Sequence, residues 1–500
     1  AERALQLAFH LGPDGSQVTL ADHAAEIGAR RLQQGILGVE LAEGEPVAVI
    51  RPRIEPAGIV LFRATAQDVG GIAEIARHAV QKLQQVVGAG VEHRLAVFER
   101  RIEPLPGVRP EPLWQYLRDG EFGTLPDALP DATQAPFTVG LGSCFYNHRD
   151  GGHAAAAYKA IYENGGHASP DITFLSGDQV YLDIGFDSLS LIPKEIRERI
   201  ATDYAVHWQA LGSILTRGGT WMLPDDHEYW NDYPFYDSLL PTLLPLKLSP
   251  VRRAWSQASR DAVSNIQRSA LVETFAIGNE LSFCIADLRS YRRGKRFLPE
   301  ESFARLCDWA RNLACPGVLL VPQPLIVGDE SLERNLRSFP EQYAALLGAL
   351  ASSGHDVVLL SGDVHFGRIA SVSLGQQGGK LIEIISSPLS NLTGLNGVAT
   401  ATAELKPKRF PDNATAARLG WSASAVDYRN GSWTVSTRPG FPLSAYPKAR
   451  TREHFMTIGF RRDGLGGVSL EANAWRVRER TGPDNMPVAD FTQPFITRLR

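Results

Sequence analysis

The sequence predicts an α/β fold, a layered sandwich of two sheets with a smaller α+β domain before it. Between residues 137 and 360, short apolar runs typical of strands alternate with helical patterns, and strand then follows strand. The tetrapeptide Leu-Ser-Gly-Asp occurs twice, at 175–178 and 360–363, each time after an apolar run. Since α/β folds place their chemistry at the carboxyl ends of buried strands, both copies mark candidate site residues.

The composition excludes several classes of protein. Of the 500 residues, 44% are hydrophobic and 21% are charged, as in globular proteins. The net charge is -4, so the chain has no excess of basic residues, and we expect no stable nucleic-acid binding. The sequence contains no run of about 18 apolar residues, so no membrane-spanning helix is predicted. No signal-peptide pattern is visible, so we expect a cytoplasmic protein unless a presequence was removed; no oligomeric state is predicted.

The chain is predicted to have three segments. Residues 1–103 form an α+β domain of unknown role, with strands at 5–11, 47–54, 58–64 and 93–100 and helices at 22–34 and 69–87. Residues 104–136 contain seven prolines and are predicted as a connector. Residues 137–500 form the main domain.

The main domain is predicted to begin with strand and helix in alternation. Predicted strands are 137–142, 171–176, 220–223, 281–288, 317–322, 356–360, 368–374, 380–385, 455–460 and 468–475. Predicted helices are 154–163, 194–215, 251–271, 303–313 and 340–352. Residues 388–450, rich in Asn, Thr, Pro and Gly, are predicted as an irregular excursion over a site.

Four of these strands end in side chains that can bind metal ions. Neighbouring parallel strands lie about 4.8 Å apart, so donors at their carboxyl ends can share one metal cluster. The donors, in chain order, are Cys144, Asp178 with Tyr181, Asp226 with Asn231, and Asp363 with His365.

The donor types predict two different ions. Thiolate and phenolate beside carboxylate and imidazole favour a highly charged iron, Fe³⁺, held by Cys144, Tyr181, Asp178 and His365. The other donors are oxygen atoms only, which suits a divalent ion such as Ca²⁺, Mn²⁺ or Mg²⁺. These donors belong to Asp226, Asn231 and Asp363.

Several ordered blocks resemble one known family. They include Gly142-Ser143-Cys144, Gly177-Asp178-Gln179-Val180-Tyr181, Asp225-Asp226-His227-Glu228, Asp287-Leu288-Arg289, Gly362-Asp363-Val364-His365 and Ser386-Ser387-Pro388. Across residues 137–475 the chain resembles the alkaline phosphatase D (PhoD-like) branch of the calcineurin-like metallophosphoesterases. That resemblance implies a four-layer α/β/β/α sandwich that hydrolyses phosphate monoesters or diesters with a metal-activated hydroxide. Residues 1–135 do not resemble that branch's usual β-rich N-terminal domain.

The resemblance also implies a role for each site residue. Asp178 would bridge the two ions, and Cys144, Tyr181 and His365 would complete the ferric site. Asp363, with Asp226 or Asn231, would hold the second ion, which is calcium in the family. His227 would assist the leaving group, and Arg289 would contact the phosphate oxygens of a small-molecule ester or a diester.

Some residues have a plainer interpretation. Asp225 is predicted to cap a helix that begins at His227, and Asn231 is either a ligand or a turn residue. Arg289 has the alternative of a structural ion pair with Asp287. Three aromatic residues follow Asp225-Asp226-His227-Glu228 and are interpreted as core packing residues. The alternative is that they form an aromatic wall for the leaving group. They are Trp230, Tyr233 and Phe235.

Two other classes of protein remain open on the sequence alone. In the first, Cys144 is the nucleophile of a thiol hydrolase and His365 is its base, which leaves the aspartates without a role. In the second, the protein is a catalytically silent phosphate-binding scaffold. Measuring metal content separates both alternatives from the phosphoesterase.

Overall fold

The computed structural model describes most of the C-terminal part of the chain and the backbone of six strands before it. The fully described residues are 125–183, 190–215, 218–237, 241–328, 335–375, 378–391, 406–428 and 452–500, and residue 429 is described by its backbone. The chain divides into two compact units, Ala1–Asp127 and Ala128–Arg500. No helix within these described ranges is both long and apolar enough to cross a membrane.

The N-terminal unit contains a six-stranded sheet. Its strands are β1 (Leu7–Phe9), β2 (Leu37–Leu41), β3 (Pro46–Pro52), β4 (Val60–Ala64), β5 (Glu92–Ile102) and β6 (Pro112–Gly123). They lie in the order β1-β4-β2-β3-β5-β6. Each of the four strands predicted within residues 1–103 contains or overlaps a strand of the structure. The sequence analysis did not predict β2. The predicted helices 22–34 and 69–87 lie outside the described residues.

The segment predicted as a connector, 104–136, differs from the prediction. Strand β6 lies inside it and pairs antiparallel with β5, so the compact N-terminal unit extends to Asp127 rather than to residue 103. Pro112 is the first residue of β6, a position that strands tolerate for proline, and the next proline is Pro126. The prolines therefore flank the strand and do not interrupt it.

The larger unit contains two seven-stranded sheets and a small ribbon. Its strands are β7 (Phe137–Gly142), β8 (Ile172–Ser176), β9 (Gly219–Leu223), β10 (Val272–Ile277), β11 (Leu281–Ala286), β12 (Gly317–Leu320), β13 (Val357–Ser361), β14 (Arg368–Ser373), β15 (Lys380–Ile385), β16 (Arg409–Phe410), β17 (Ser424–Ala425), β18 (Asp427–Arg429), β19 (His454–Arg462), β20 (Val468–Thr481), β21 (Met486–Ala489) and β22 (Phe495–Leu499). Sheet 1 has the order β21-β20-β19-β7-β8-β9, with β22 also paired to β20. Sheet 2 has the order β10-β11-β12-β13-β15-β14-β18.

The helices of this unit follow the predicted alternation. In the described ranges they are α1 (Asn147–Asp150), α2 (His153–Asn164), α3 (Pro193–Ala210), α4 (Gly212–Leu215), α5 (Ser249–Ala262), α6 (Glu300–Arg311), α7 (Pro340–Ser352) and α8 (Asn413–Leu419). Helix α5 passes into a π-helical turn, Val263–Gln267, and strand β10 then follows. The predicted helix 251–271 is therefore too long, and β10 was missed.

The two sheets pack face to face between two layers of helices. Phe283 of β11 lies between the sheets, with its ring 6.2 Å from that of Phe174 on β8. The next residue along β8, Leu175, points the other way and packs with α2 and α4. In sheet 2, Leu359 of β13 packs with α6 and α7. The predicted four-layer α/β/β/α sandwich is confirmed.

Candidate metal centre

The predicted site residues follow strands whose carboxyl ends lie together. Strands β7, β8 and β9 are parallel neighbours in sheet 1, and β13 lies in sheet 2. Backbone hydrogen bonds join the first two loops, since the N–H of Cys144 donates to Gly177 O at 3.0 Å and that of Phe145 to Asp178 O at 2.7 Å. The fold thus assembles one site from segments that are far apart in sequence.

The two Leu-Ser-Gly-Asp copies end β8 and β13, and each glycine allows a close approach of another loop. Gly177 has a φ of +114°, and a Cβ there would lie 2.7 Å from the Cβ of Asp225. A Cβ on Gly362 would lie 2.3 Å from Oγ of Ser143. Neither contact is sterically allowed, so both positions require glycine.

Four aspartates form the centre of the site. Each offers a carboxylate oxygen, and these oxygens all lie within 4.8 Å of one another. Three were predicted as ligands, and the fourth, Asp225, was predicted only as a cap. Asp225 does cap the short 3₁₀-helix Asp226–Glu228, and it also belongs to the cluster. The four residues are Asp178, Asp225, Asp226 and Asp363.

Two of the predicted iron ligands lie against the same carboxylate oxygen. Sγ of Cys144 and the hydroxyl of Tyr181 are each 3.4 Å from Oδ2 of Asp178. All three side chains are buried. Burial, together with Asp178, raises the pKa of Cys144, so a thiolate at this position needs a cation beside it.

His365 is joined to this group through a serine. Oγ of Ser387 accepts the main-chain N–H of His365 at 3.0 Å and donates to Sγ of Cys144 at 3.1 Å. Burial and the neighbouring His227 lower the pKa of His365 to about 3. The imidazole is therefore neutral at physiological pH, the form in which histidine binds metals.

Asn231 lies in the loop that carries Asp226. Its main-chain N–H donates to Oδ2 of Asp183 at 2.9 Å, and its side-chain Nδ2 donates to Oδ2 of Asp232 at 3.0 Å. These bonds fix the amide through its nitrogen. The ligand role of Asn231 stays a prediction.

Backbone strain is concentrated at this site. Residues other than glycine seldom adopt positive φ, and such a conformation costs about 1 kcal/mol or more per residue. Of the seven described non-glycine residues with positive φ, five lie here, which indicates that tertiary contacts hold the loops in place. The five, with their φ values, are Cys144 (55°), Asp178 (56°), Asp232 (62°), Asp363 (69°) and His365 (54°).

His227, the predicted acid–base residue, is oriented by a carboxylate that the sequence analysis did not assign. Nδ1 of His227 lies 2.7 Å from Oδ1 of Asp183, which is 5% exposed. Burial alone would lower the pKa of His227, but Asp183 and Asp226 outweigh it and raise this pKa well above its usual value. Asp183 lies two residues after Tyr181, and that short spacing was the available signal.

Arg289 is fully buried against the acidic cluster. Its Nε donates to Oδ1 of Asp225, its Nη2 lies 3.9 Å from Oδ1 of Asp226, and its Nη1 donates to Tyr233 O at 3.0 Å. The guanidinium of Arg289 pairs with Asp225 and not with Asp287, the alternative partner. Oδ1 of Asp287 accepts the main-chain N–H of Arg289. Arg289 thus neutralises part of the cluster, and its phosphate contact stays a prediction.

Glu228 joins two of the ligand loops, a role that the sequence analysis did not assign. Its carboxylate accepts main-chain N–H groups from Asp178 at 3.0 Å, Gln179 at 2.7 Å and Asp225 at 2.8 Å. It also accepts Nε2 of Gln267 at 3.1 Å. Burial raises the pKa of Glu228 to about 7. Its position three residues after Asp225 is that of a capping box, which was the signal in the sequence.

The electrostatics of the cluster fit a bound cation. Burial raises the pKa of Asp178 and of Asp225, and neighbouring carboxylates add to the effect. Within the described part of the chain, Oδ2 of Asp225 and Oδ1 of Asp226 are buried without a hydrogen-bond partner. Arg289 and His227 offset only part of the negative charge of the four carboxylates, so metal ions are the natural complement.

Comparison with known proteins finds similarity in fold. PhoD is 16% identical, the match covers 82% of this chain and 77% of PhoD, and the TM-score is 0.48. Purple acid phosphatase PPD1 from yellow lupin (Lupinus luteus) seeds is 13% identical, with 82% of this chain and 60% of that chain covered and a TM-score of 0.41. No protein-family model and no curated protein matches the chain. We therefore base the function on the geometry of the site.

Proposed function

We propose that the protein is a metal-dependent hydrolase of phosphate esters. The observation that carries this proposal is the buried cluster of four aspartates, with Cys144 and Tyr181 both against Asp178. Buried carboxylates do not stabilise a hydrophobic core, whereas they are the ligands that a two-metal site requires. Phosphate monoesters and diesters both belong to the proposed substrate range.

The proposed metal ligands divide between two ions. Fe³⁺ suits the thiolate, phenolate and imidazole donors, and Ca²⁺ suits the oxygen donors, with Mn²⁺ or Mg²⁺ in second place. Asp178, which belongs to the aspartate cluster and contacts Cys144 and Tyr181, would serve both ions. When bound, the ions supply positive charge for the phosphate oxygens and a hydroxide nucleophile near neutral pH. The Fe³⁺ ligands are Cys144, Asp178, Tyr181 and His365, and those of the second ion are Asp178, Asp226, Asn231 and Asp363.

The remaining residues serve the leaving group and the charge balance. With Nδ1 of His227 bonded to Asp183, Nε2 is the atom that can hold a proton and pass it to the departing alkoxide. Arg289 holds Asp225 and Asp226 in place and would reach the phosphate only with a shift of its guanidinium.

The burial of Cys144 disfavours the thiol hydrolase. The side chain is 0% exposed, and Sγ faces Asp178, the carbonyl of Asp363 and Ser387. A nucleophilic thiolate needs access to the substrate and a lowered pKa, and the pKa of Cys144 is raised.

The test is a hydrolysis screen on the purified protein with phosphate monoesters, diesters and phospholipids, before and after exhaustive chelation. We expect activity that is lost on chelation and returns with added Fe³⁺ and Ca²⁺. Full ester hydrolysis after chelation would contradict the metal-dependent mechanism. A metal-loaded protein that hydrolyses no ester would favour the scaffold instead.

A further inference from the structure

An open cavity of about 530 Å³ is lined by residues that the proposed function does not use. One wall is formed by residues 234–237 and the other by residues 292–294. The side chains that matter for its chemistry are Phe235, Tyr236, Arg292 and Arg293. Of the aromatic residues in this region, Trp230 and Tyr233 are buried in the core, as the packing interpretation predicts, whereas Phe235 lines the cavity.

The first wall is continuous with the loop that holds Asp226. The main-chain N–H of Asp232 donates to Oδ2 of Asp226 at 2.7 Å. The N–H of Phe235 then donates to the carbonyl of Asp232 at 2.9 Å. Phe235 is therefore linked through Asp232 to the proposed metal ligand Asp226.

The second wall is connected to Asp363. Nη2 of Arg292 donates to Oε1 of Gln323, and Nε2 of Gln323 donates to Oδ2 of Asp363 at 2.8 Å. Hydrogen bonds therefore connect both walls of the cavity to proposed ligands of the second ion, one through Asp232 and the other through Gln323.

The walls combine flat rings with positive charge. Tyr236 is 48% exposed, and the guanidinium of Arg252 lies 3.8 Å from the centre of its ring, which holds the ring in place. Arg292 is buried, and Arg293 is exposed. The guanidinium of Arg292 is bonded to Leu288 O and Gln323, so the exposed guanidinium of Arg293 is the positive charge that the lining offers to a ligand. Aromatic rings and guanidinium groups in an open site bind flat rings by stacking and anions by hydrogen bonds.

We propose that this cavity binds the leaving group of the substrate, and that this group is a flat ring carrying a second negative charge, as in a nucleotide. The proposal rests on the proposed function, because it assumes that the reacting phosphate lies at the metals. The base would stack on Phe235 and Tyr236, and the second anionic group would bind Arg293.

The test is calorimetric binding to the metal-loaded, full-length protein. The probes are the hydrolysis-resistant α,β-methylene analogue of adenosine 5′-diphosphate, adenosine and inorganic phosphate. We expect the nucleotide analogue to bind at least about tenfold more tightly than inorganic phosphate. Arg293→Ala should weaken its binding about tenfold and Tyr236→Ala about fivefold, the usual effects of losing a charged hydrogen bond or a stacking contact.

Arg296→Ala is the matched control, because Arg296 is exposed on the same loop, pairs with Glu300 at 3.2 Å and lies outside the cavity. It should change binding by less than about twofold. The proposal is overturned if the analogue binds no more tightly than phosphate, or if Arg293→Ala and Arg296→Ala have equal effects. Binding that depends on Arg293 without any ester hydrolysis would support the cavity and contradict the proposed function. Hydrolysis of small esters without tighter binding of the analogue would support the proposed function and contradict the role of the cavity.

Discussion

Nδ1 of His227 lies 2.7 Å from Oδ1 of Asp183, and the main-chain N–H of His227 lies 3.3 Å from Oδ1 of Asp178. The histidine is thus fixed between a carboxylate that sets its protonation and the carboxylate proposed to bridge the ions. A histidine held in this way presents Nε2 as its reactive nitrogen.

Removing the charge of Asp183 should therefore impair the reaction without emptying the site. In Asp183→Asn we expect kcat to fall about 100-fold, most strongly for esters with poor leaving groups, because proton transfer contributes on that order. Metal content, measured on the same samples, should stay at the wild-type value. Asp308→Asn, at an exposed position, is the control. An unchanged kcat in Asp183→Asn would contradict the acid–base role of His227.

Glu228 should act on metal affinity through the loops that it joins. Its two oxygens accept the N–H groups of Asp178, Gln179 and Asp225, and a glutamine would replace one acceptor with a donor. We expect Glu228→Gln to weaken metal binding between about 10-fold and 100-fold, as loss of a residue that orients ligands commonly does. Competition with a chelator measures this affinity, and Glu300→Gln at the surface is the control. Equal affinities in the two variants would show that Glu228 does not position the ligands.

Tyr181 should give the iron a visible signature. A phenolate bound to Fe³⁺ absorbs visible light by charge transfer, so the wild-type protein should be coloured and Tyr181→Phe should lose the band. The control is Tyr146→Phe, because the Tyr146 ring lies 5.3 Å from that of Tyr181 without being a predicted ligand. A band that survives in Tyr181→Phe would remove Tyr181 from the ligand set.

A buried histidine that is not a predicted ligand should make folding stability depend on pH. His454 is fully buried, and burial lowers its pKa to about 3, below the value of about 6.5 in an unfolded chain. The unfolded state therefore takes up a proton first, and stability is complete above pH 6.5 and is lost as the pH falls from there toward 3. At pH 5 the loss is about 2 kcal/mol.

The measurement is the free energy of unfolding by denaturant at pH 8 and pH 5, for the wild type and for His454→Asn. The variant should lose about 2 kcal/mol less than the wild type between these pH values. The difference between the two proteins cancels the contribution of any other titrating group. Parallel pH profiles would contradict the assignment of a neutral, buried His454.

Local sequence signals predicted the main elements because each element is encoded over a few residues. The apolar runs before Gly177 and Gly362 are strands β8 and β13, and strand β15 and helix α7 have the predicted bounds. The end of helix α5 was missed, because the apolar pattern continues through the π-helical turn into β10.

The partners of the charged side chains could not be predicted in the same way. Arg289 pairs with Asp225 across 64 positions of the sequence, and the carboxylate of Glu228 reaches Asp178 across 50 positions. Such contacts depend on which strands lie side by side and on how sheet 1 and sheet 2 meet, which no local pattern encodes. For the same reason, Asp225 was interpreted as a cap and not as a member of the acidic cluster.

The most direct test of the metal centre is elemental analysis of Asp178→Asn beside the wild type. Asp178 lies at the centre of the acidic cluster and in contact with both Cys144 and Tyr181. We predict about two metal ions per chain in the wild type, one of them iron, and a loss of metal together with ester hydrolysis in Asp178→Asn. A wild-type protein that hydrolyses esters with no bound metal, or an Asp178→Asn variant with full metal content and activity, would contradict the account.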